Sequence, residues 1–336
     1  MYGGGPSVIH GLHAALSDLG IEITYHDYWK HDAKNFDLVH YFGCYDNVNW
    51  LRHQRDDPPL VVTPISWFDY PLRRRWKESL KYALRVAVHL TRDRRALGYP
   101  FEIPAHFFPN SEGEAYYLTR AYRVPREKMT IVPHGVSMEF AKGNATAFER
   151  QYQLRDFVLC VGRFEYPRKN QLALVQALRN QTIPLVFIGG ADLGFEWYYE
   201  QCRNEAASNT VFLPPLPRED PMLISAYHAC KVLAMPALLE SPGLTGCEAG
   251  LAGANLALTK NGSTHEYFGD DAWYFDPRDQ ESIRAAVCAA FSAPRKPAMK
   301  QRILDRFTWP QIARVQIQAY EKVLAAHGRR ISGAVL

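Results

Sequence analysis

Two things are scarce in this chain of 336 residues: cysteines in pairs and long apolar runs. Its six cysteines (Cys44, Cys160, Cys202, Cys230, Cys247 and Cys288) stand singly, with no C-x-x-C among them. That excludes a zinc ribbon and argues against a disulfide scaffold; the thiols read as small apolar residues of a reducing compartment. No apolar stretch approaches the ~18–20 residues needed to span a bilayer. The opening residues, MYGGGPSVIHGLH, lack both a basic n-region and an apolar h-region, so no secretory signal is expected. Asn144-Ala-Thr and Asn261-Gly-Ser match the glycosylation pattern, but that pattern needs a secretion route. The expectation is a cytoplasmic protein.

A length of 336 residues suits two domains of about 150 each. With 47% hydrophobic and 22% charged residues the chain can bury real cores. The net charge of +4 is unevenly spread. Residues 73–95, RRRWKESLKYALRVAVHLTRDRR, carry nine Arg or Lys against Glu78 and Asp93, which leaves the rest of the chain slightly acidic. Trp76, Leu80, Ala83, Leu84 and Ala87 share one helical face of this block, and Arg73, Lys77, Lys81 and Arg85 climb another. It reads as a core-packing helix with a basic outer face, or as a surface for anionic lipid headgroups or an acidic acceptor. The second reading would put the protein peripherally at the inner face of the membrane. Nucleic acid is not expected, because no recognition motif accompanies the charge.

Strand-like apolar runs alternate with helix-length periodic segments along the chain. VIHGLHAALSDLG predicts a helix ended by Gly20. IEITYH, FDLVHYFG, LVVTPIS, HFFPNS and MTIVPHG predict strands, with EGEAYYLTRAYR as a helix before the last. Residues 141–156 carry little apolar pattern and read as a linker. The alternation then restarts at FVLCVGRF and continues through NLALT. Two doubly wound α/β domains are expected, with boundaries near 1–145 and 155–307. Sheets of this kind bind ligands beyond the carboxyl ends of their strands. One feature departs from the pattern: a strand should feed the first glycine loop, yet Met1 stands two residues before GGG. The first strand of the N-terminal domain is therefore expected to be missing, with the tail ISGAVL (331–336) a candidate to fill its place.

Three stretches carry chemistry. In GGGPS (3–7), glycines at a strand-to-helix turn let backbone N–H groups approach an anion. In VGRFEYPRKN, Arg163 leaves the end of a strand and Lys169 precedes a helix, so two fixed cations, a bidentate fork and a point charge, suit a diphosphate. In LLESPGLTGCEAG, Glu240 falls on a loop and Glu248 inside the helix that follows Pro242-Gly243. The helix start between the two carboxylates offers free N–H groups to a phosphate. Carboxylates are good acceptors for sugar hydroxyls, so the set fits a phosphorylated sugar ligand.

Taken together, CVGRFEYPRKNQLALVQAL, LLESPGLTGCEAGLAG, NGSTHEYFGDDAWYFDP and FFPNSEGEAYYLTRAYRVPREKMTIVPHGV resemble the retaining, nucleotide-sugar-dependent glycosyltransferases of family 4, of GT-B fold, often enzymes of polysaccharide biosynthesis. The resemblance runs from Gly3 to about residue 325 and is densest over 157–277. It implies two Rossmann-like domains facing a central cleft. It also implies that the last helix, within 308–328, crosses back to the first domain. Glu240 would hold donor-sugar hydroxyls and Glu248 the ribose hydroxyls. Arg163 and Lys169 would neutralise the departing diphosphate. Gly4, Gly5, Gly243 and the N–H groups of Leu244 and Thr245 would line the phosphates, and FLPPLP (212–217) would pack on the base. The donor would be UDP- or GDP-linked, no cofactor or metal would be needed, and a glycan or lipid-linked molecule would accept the sugar.

The chain also departs from that pattern. Where many members carry a histidine after the strand matching VVTPIS, this sequence has Ile65, so catalytic help from that position is excluded. The usual Asn-Gly-Val-Asp turn is His134-Gly135-Val136-Ser137 here, making His134 a turn or cleft residue. The alternatives are a catalytically silent nucleotide-sugar-binding protein and another GT-B enzyme such as a nucleotide-sugar epimerase.

Overall fold

The computed structural model describes residues 4–27, 29–43, 58–65 and 104–331. The basic block 73–95, Cys44 and the tail beyond Ile331 lie outside the described residues. The chain forms two compact units, one of Gly5–His134 with Trp309–Leu336, the other built on Gly135–Thr308.

In the first unit, helix α1 (Gly4–Ser17) precedes three parallel strands in the order β1 (Val39–Phe42), β2 (Leu60–Thr63), β3 (His106–Phe107). Helix α2 (Glu112–Tyr122) starts at a reciprocal cap. The Glu114 N–H donates to Ser111 Oγ, while Glu114 Oε2 accepts from the Asn110 N–H and side-chain amide. Two sequence expectations fail in this unit. IEITYH is not a strand: Ile21 and Ile23 pack on the core, but no strand pairs with them among the described residues, and an unpaired strand is not stable alone. MTIVPHG makes a single bridge, Met129 to Phe107, because β3 is two residues long and is bounded by Pro104 and Pro109.

The second unit carries a six-stranded parallel sheet. Its strands are β4 (Val158–Val161), β5 (Leu185–Ile188), β6 (Thr210–Leu213), β7 (Val232–Met235), β8 (Asn255–Thr259) and β9 (Trp273–Phe275). The spatial order is β6-β5-β4-β7-β8-β9. Both faces are buried, which is why these strands read as unbroken apolar runs. Period-two alternation assigns the residues: Val158, Leu185, Phe187, Val232 and Ala234 enter one core, while Leu159, Val186, Ile188, Leu233 and Met235 enter the other. The order reverses between β4 and β7, so the crevice beyond their carboxyl ends is the topological switch point.

The segment 141–156 is not a linker. It forms α3 (Glu139–Lys142) and α4 (Thr146–Tyr152), anchored by the fully buried Phe140 and Phe148, and the division between units falls at His134–Gly135. Its apolar residues, Ala141, Ala145, Phe148, Tyr152 and Leu154, are too widely and unevenly spaced to give a periodic signal. Helices α5 (Gln171–Leu178), α6 (Glu196–Glu205), α7 (Pro221–Ala229), α8 (Leu244–Leu251), α9 (Thr264–Phe268), α10 (Gln280–Ser292) and α11 (Pro297–Arg306) complete the second unit. Asp220 and Asp279 cap α7 and α10 through their carboxylates, and Pro221 and Pro297 occupy first-turn positions where no N–H is needed. Helix α12 (Trp309–Ala326) belongs to the first unit, packing Ile312, Ile317, Tyr320 and Val323 against Leu12, Val61, Phe108 and Val132. No helix of the described residues is long and apolar enough to cross a membrane.

Two histidines tie the first unit together. The His40 ring bridges Tyr320 Oη at 2.6 Å and Thr63 Oγ1 at 2.8 Å, joining α12 to the sheet. His106 Nε2 lies 2.8 Å from Thr130 Oγ1. Burial pushes His40 down to about 3 and His106 to about 4. Both are therefore neutral when folded but protonated in the unfolded chain below pH ~6.5, so the unfolded state binds more protons and stability falls with acidity. Each should remove up to about 1.4 kcal/mol of stability per pH unit between about 6.5 and 4.5. Urea unfolding of the first unit, followed across that range, should show this slope, and His40→Gln should reduce it.

Candidate functional site

The crevice between β4 and β7 is built by three loops. The first, after β4, turns at Gly162, whose φ is 143°. It carries Arg163 outward and returns through Lys169 to Asn170, which opens α5. The second follows β7 and carries Glu240. The third, Asn261–Ser263, follows β8. Their cross-links are backbone and amide bonds. The Leu238 N–H donates to the Arg168 carbonyl at 3.0 Å. Asn170 Nδ2 donates to the carbonyls of Pro236 and Pro277, and Asn261 Nδ2 to that of Leu238. Glu240 itself forms a parallel bridge with Gly262, donating its N–H to Asn261 and accepting from the Ser263 N–H at 3.0 Å. The GSTHEYFG segment singled out in the sequence thus holds the backbone of Glu240.

Lys169 and Glu240, separated by 71 positions, meet at 2.6 Å between Nζ and Oε1. Glu240 is largely buried and Lys169 partly so, giving a desolvated pair at the crevice. Arg163 pairs with Asp192, a residue of the loop after β5 that sequence reasoning missed. Arg168 pairs with Glu165 through Nε and Nη2, at 2.8 and 2.6 Å. This pairing holds the Glu165 carboxyl below the usual carboxylate range.

Glu248 lies on α8, as expected, but it is buried and already engaged. Its Oε1 meets Arg218 Nε at 2.6 Å, and its Oε2 accepts from the Tyr227 hydroxyl at 2.6 Å. Burial raises the Glu248 carboxyl above its ordinary value, against the pull of Arg218 and the tyrosine hydroxyl. Burial, followed by the neighbouring glutamate, pushes the Tyr227 hydroxyl well up. Arg218 and Tyr227 were not predicted; each approaches Glu248 from a different element, and such contacts leave no local spacing to read.

Between the two glutamates, Gly243 adopts a φ of 84° ahead of α8. A Cβ there would lie 2.7 Å from the Met235 methyl, so both conformation and space require glycine. The N–H groups of Leu244 and Thr245 open α8 with no side-chain cap. Arg163, Lys169, Glu240, Gly243, Leu244, Thr245 and Glu248 therefore all belong to the loops and helix start at one end of one sheet. Gly4 and Gly5 open α1. His134 is buried at the last position of its segment of the first unit. Ile65 follows β2 with a φ of 45°, a conformation rare for a β-branched residue. The described cysteines are free, and burial raises Cys160, Cys202 and Cys230 to about 12, consistent with inert core thiols.

Residues 145–302, which contain every element of this crevice, match the family described as glycosyl transferases group 1. Among curated relatives, D-inositol 3-phosphate glycosyltransferase of Stackebrandtia nassauensis is 28% identical over 236 residues, covering 63% of this chain and 52% of that protein. The enzyme of the same name from Segniliparus rotundus is 24% identical over 331 residues, covering 90% of this chain and 69% of its own. The chain thus spans about half to two thirds of the length of these relatives. Among solved structures, sucrose-phosphate synthase of Thermosynechococcus elongatus superposes with a TM-score of 0.71 at 18% identity, covering 96% of this chain and 94% of that one. Anabaena HepE in complex with UDP gives 0.65 at 17%, covering 94% and 82%. The fold is the GT-B type of α/β protein, with two Rossmann-like domains.

Gly262 gives a test of how the crevice is held. Its φ is 102°, and a Cβ would lie 1.9 Å from the Glu240 carbonyl oxygen. Gly262→Ala should cost roughly 1–3 kcal/mol through backbone strain alone and shift the Glu240 loop. Urea unfolding of the variant beside wild type measures the first effect. An unchanged midpoint would mean that the close approach is not needed.

Proposed function

We propose that the protein is a retaining, metal-independent glycosyltransferase. It would move a sugar from a UDP- or GDP-linked donor to a glycan or lipid-linked acceptor. The observation that carries this reading is the Lys169–Glu240 contact, which brings a fixed cation and a hydroxyl-binding carboxylate together at the carboxyl end of the sheet. A sugar diphosphate presents those two demands on adjacent groups. The names of the relatives, which include glycosyltransferases acting on inositol 3-phosphate and a maltose-1-phosphate synthase, support the reaction class. Structural neighbours in complex with UDP and UDP-glucose support the donor class.

The chemistry follows from the charges. Breaking the sugar–phosphate bond develops negative charge on the leaving diphosphate and positive character on the sugar. Arg163, Lys169 and the N–H groups at the start of α8 stabilise the first, each well-placed donor contributing roughly 3–4 kcal/mol in comparable sites. These cations supply the stabilisation that a divalent ion supplies in other transferases. Glu240 accepts hydroxyls of the donor sugar and fixes its ring, exchanging part of its contact with Lys169 for them. Glu248, on the inner side, accepts ribose hydroxyls through lone pairs left over by Arg218 and Tyr227. Retention follows when the acceptor attacks from the face that the diphosphate leaves, the departing phosphate taking its proton.

A thermal-shift panel of nucleotide sugars tests the binding step, since a ligand at 100 times its Kd adds about 2.7 kcal/mol of stability. UDP- or GDP-sugars should raise the melting temperature. With the radiolabelled form of the stabilising donor, wild type should show transfer or slow hydrolysis, and Glu240→Ala and Lys169→Met should each lower the rate about a hundredfold or more. Saturable binding without transfer or hydrolysis would instead identify a silent binding protein. Reversible interconversion of the free nucleotide sugar would identify an epimerase.

A further inference from the structure

The chain places two arginines within five positions of each other in the loop after β4, and their guanidinium groups are used differently. Arg168 presents its side-on edge, Nε and Nη2, to both oxygens of Glu165 at 2.8 and 2.6 Å. That edge is the fork that matches a carboxylate or a phosphate, so Arg168 is already occupied. Arg163 is held by its other end. Asp192 Oδ2 and Oδ1 lie 2.9 and 3.0 Å from Nη1. Nε and Nη2 of Arg163 make no hydrogen bond among the described residues, and its side chain remains 38% exposed. Asp192 therefore fixes the guanidinium without covering the fork.

Asp192 is itself firmly placed. The β4–β5 pairing continues past the strand ends: Phe164 donates its N–H to the Gly190 carbonyl at 2.9 Å, and Asp192 donates its own to Phe164 at 3.0 Å. Gly189 lets the two chains approach, since a Cβ there would lie 2.0 Å from the Gly162 carbonyl. Asp192 Oδ1 also accepts from the Leu193 N–H at 3.1 Å. On the far side, Gln171 Nε2 donates to the Arg163 carbonyl at 2.8 Å, so backbone and guanidinium are each pinned by a separate partner. A flexible arginine on a loop has many rotamers, and holding one of them in advance lowers the cost of using it.

We infer that Asp192 is a positioning residue: it orients Arg163 so that the Nε–Nη2 fork is presented to two oxygens of a nucleoside diphosphate. This rests on the proposed function. It assigns Asp192 no contact with the ligand and no proton transfer. It also predicts that the hydrogen bond matters more than the charge, because an aspartate acting as an electrostatic brake would instead weaken diphosphate binding.

Isothermal titration of the full chain separates these possibilities, with UDP, GDP, uridine and guanosine as titrants. Asp192→Ala should weaken the diphosphate that wild type binds by about tenfold or more, while the matching nucleoside is unaffected. Asp192→Asn keeps an acceptor oxygen for Nη1 and should stay within about threefold of wild type. Equal or tighter diphosphate binding by Asp192→Ala would overturn the inference. So would a parallel loss for the nucleoside, which would mark Asp192 as a general support of the fold. If wild type binds neither diphosphate, the proposed function fails and this inference with it. If wild type binds and Asp192→Ala binds equally, only the inference fails.

Discussion

The Lys169–Glu240 ion pair is the contact on which the candidate site depends, and it exists because of strand order. β4 and β7 are neighbours, and the sheet grows away from them in opposite directions. The loops that leave their carboxyl ends therefore have no crossing connection between them and can meet. Their backbones are joined by the Leu238–Arg168 bond and the Asn170 amide, so the two side chains are brought together by a rigid frame. A pair held this way is not a surface decoration of small worth. Both ends are partly desolvated, so removing one leaves a costly charge behind, whereas a ligand that offers an anion to Lys169 and hydroxyls to Glu240 replaces both partners at once.

The two glutamates that flank the start of α8 are unlike each other in structure. Glu240 is carried by a loop, touches one cation, and owes its position to a backbone bridge with Gly262. Glu248 is inside a helix, fully enclosed, with an arginine on one oxygen and a tyrosine on the other. Arg218 belongs to the chain between β6 and α7, and Tyr227 to α7, so Glu248 fastens three elements beside the crevice. Buried charges that are paired and hydrogen-bonded at every oxygen act as fixed anchors. Glu248 thus belongs to the stiff interior of the second unit, while Glu240 keeps an edge toward the crevice.

Much of this was legible in the sequence. The βα alternation of the second unit could be read because both faces of its sheet are buried, so apolar runs such as VLCV, LVFI and VLAM stand out from their surroundings. Arg163 was legible because it leaves a strand end, Lys169 because it precedes a helix, and Glu240 because the Pro242-Gly243 break follows it. The first unit was read less well. IEITYH has the composition of a strand, but a strand needs a neighbour to complete its hydrogen bonds, and composition carries no information about neighbours. The reading of 141–156 as a linker failed for the opposite reason: Phe140 and Phe148, with Ala141, Ala145, Tyr152 and Leu154 packed beside them, fold short helices that no periodicity announces. Asp192, Arg218 and Tyr227 were missed because each acts on a residue remote in sequence.

The contrast between Arg163 and Arg168 shows what the structure adds to a motif. In the sequence both are arginines of the loop that carries Lys169, and either could be assigned to a phosphate. The local rule that separates them is the spacing of Glu165 and Arg168, three positions apart in a tight loop, which lets a carboxylate reach back and cover the whole fork of Arg168. Arg163 has the same acid two positions away, but both oxygens of Glu165 are taken by Arg168. Its partner arrives from the loop after the neighbouring strand β5, is held to the β4 loop by the Asp192–Phe164 backbone bond, and meets it at Nη1. Charge alone would count two available arginines here. Hydrogen-bond direction leaves one, and it is the one at the carboxyl end of β4, beside the crevice.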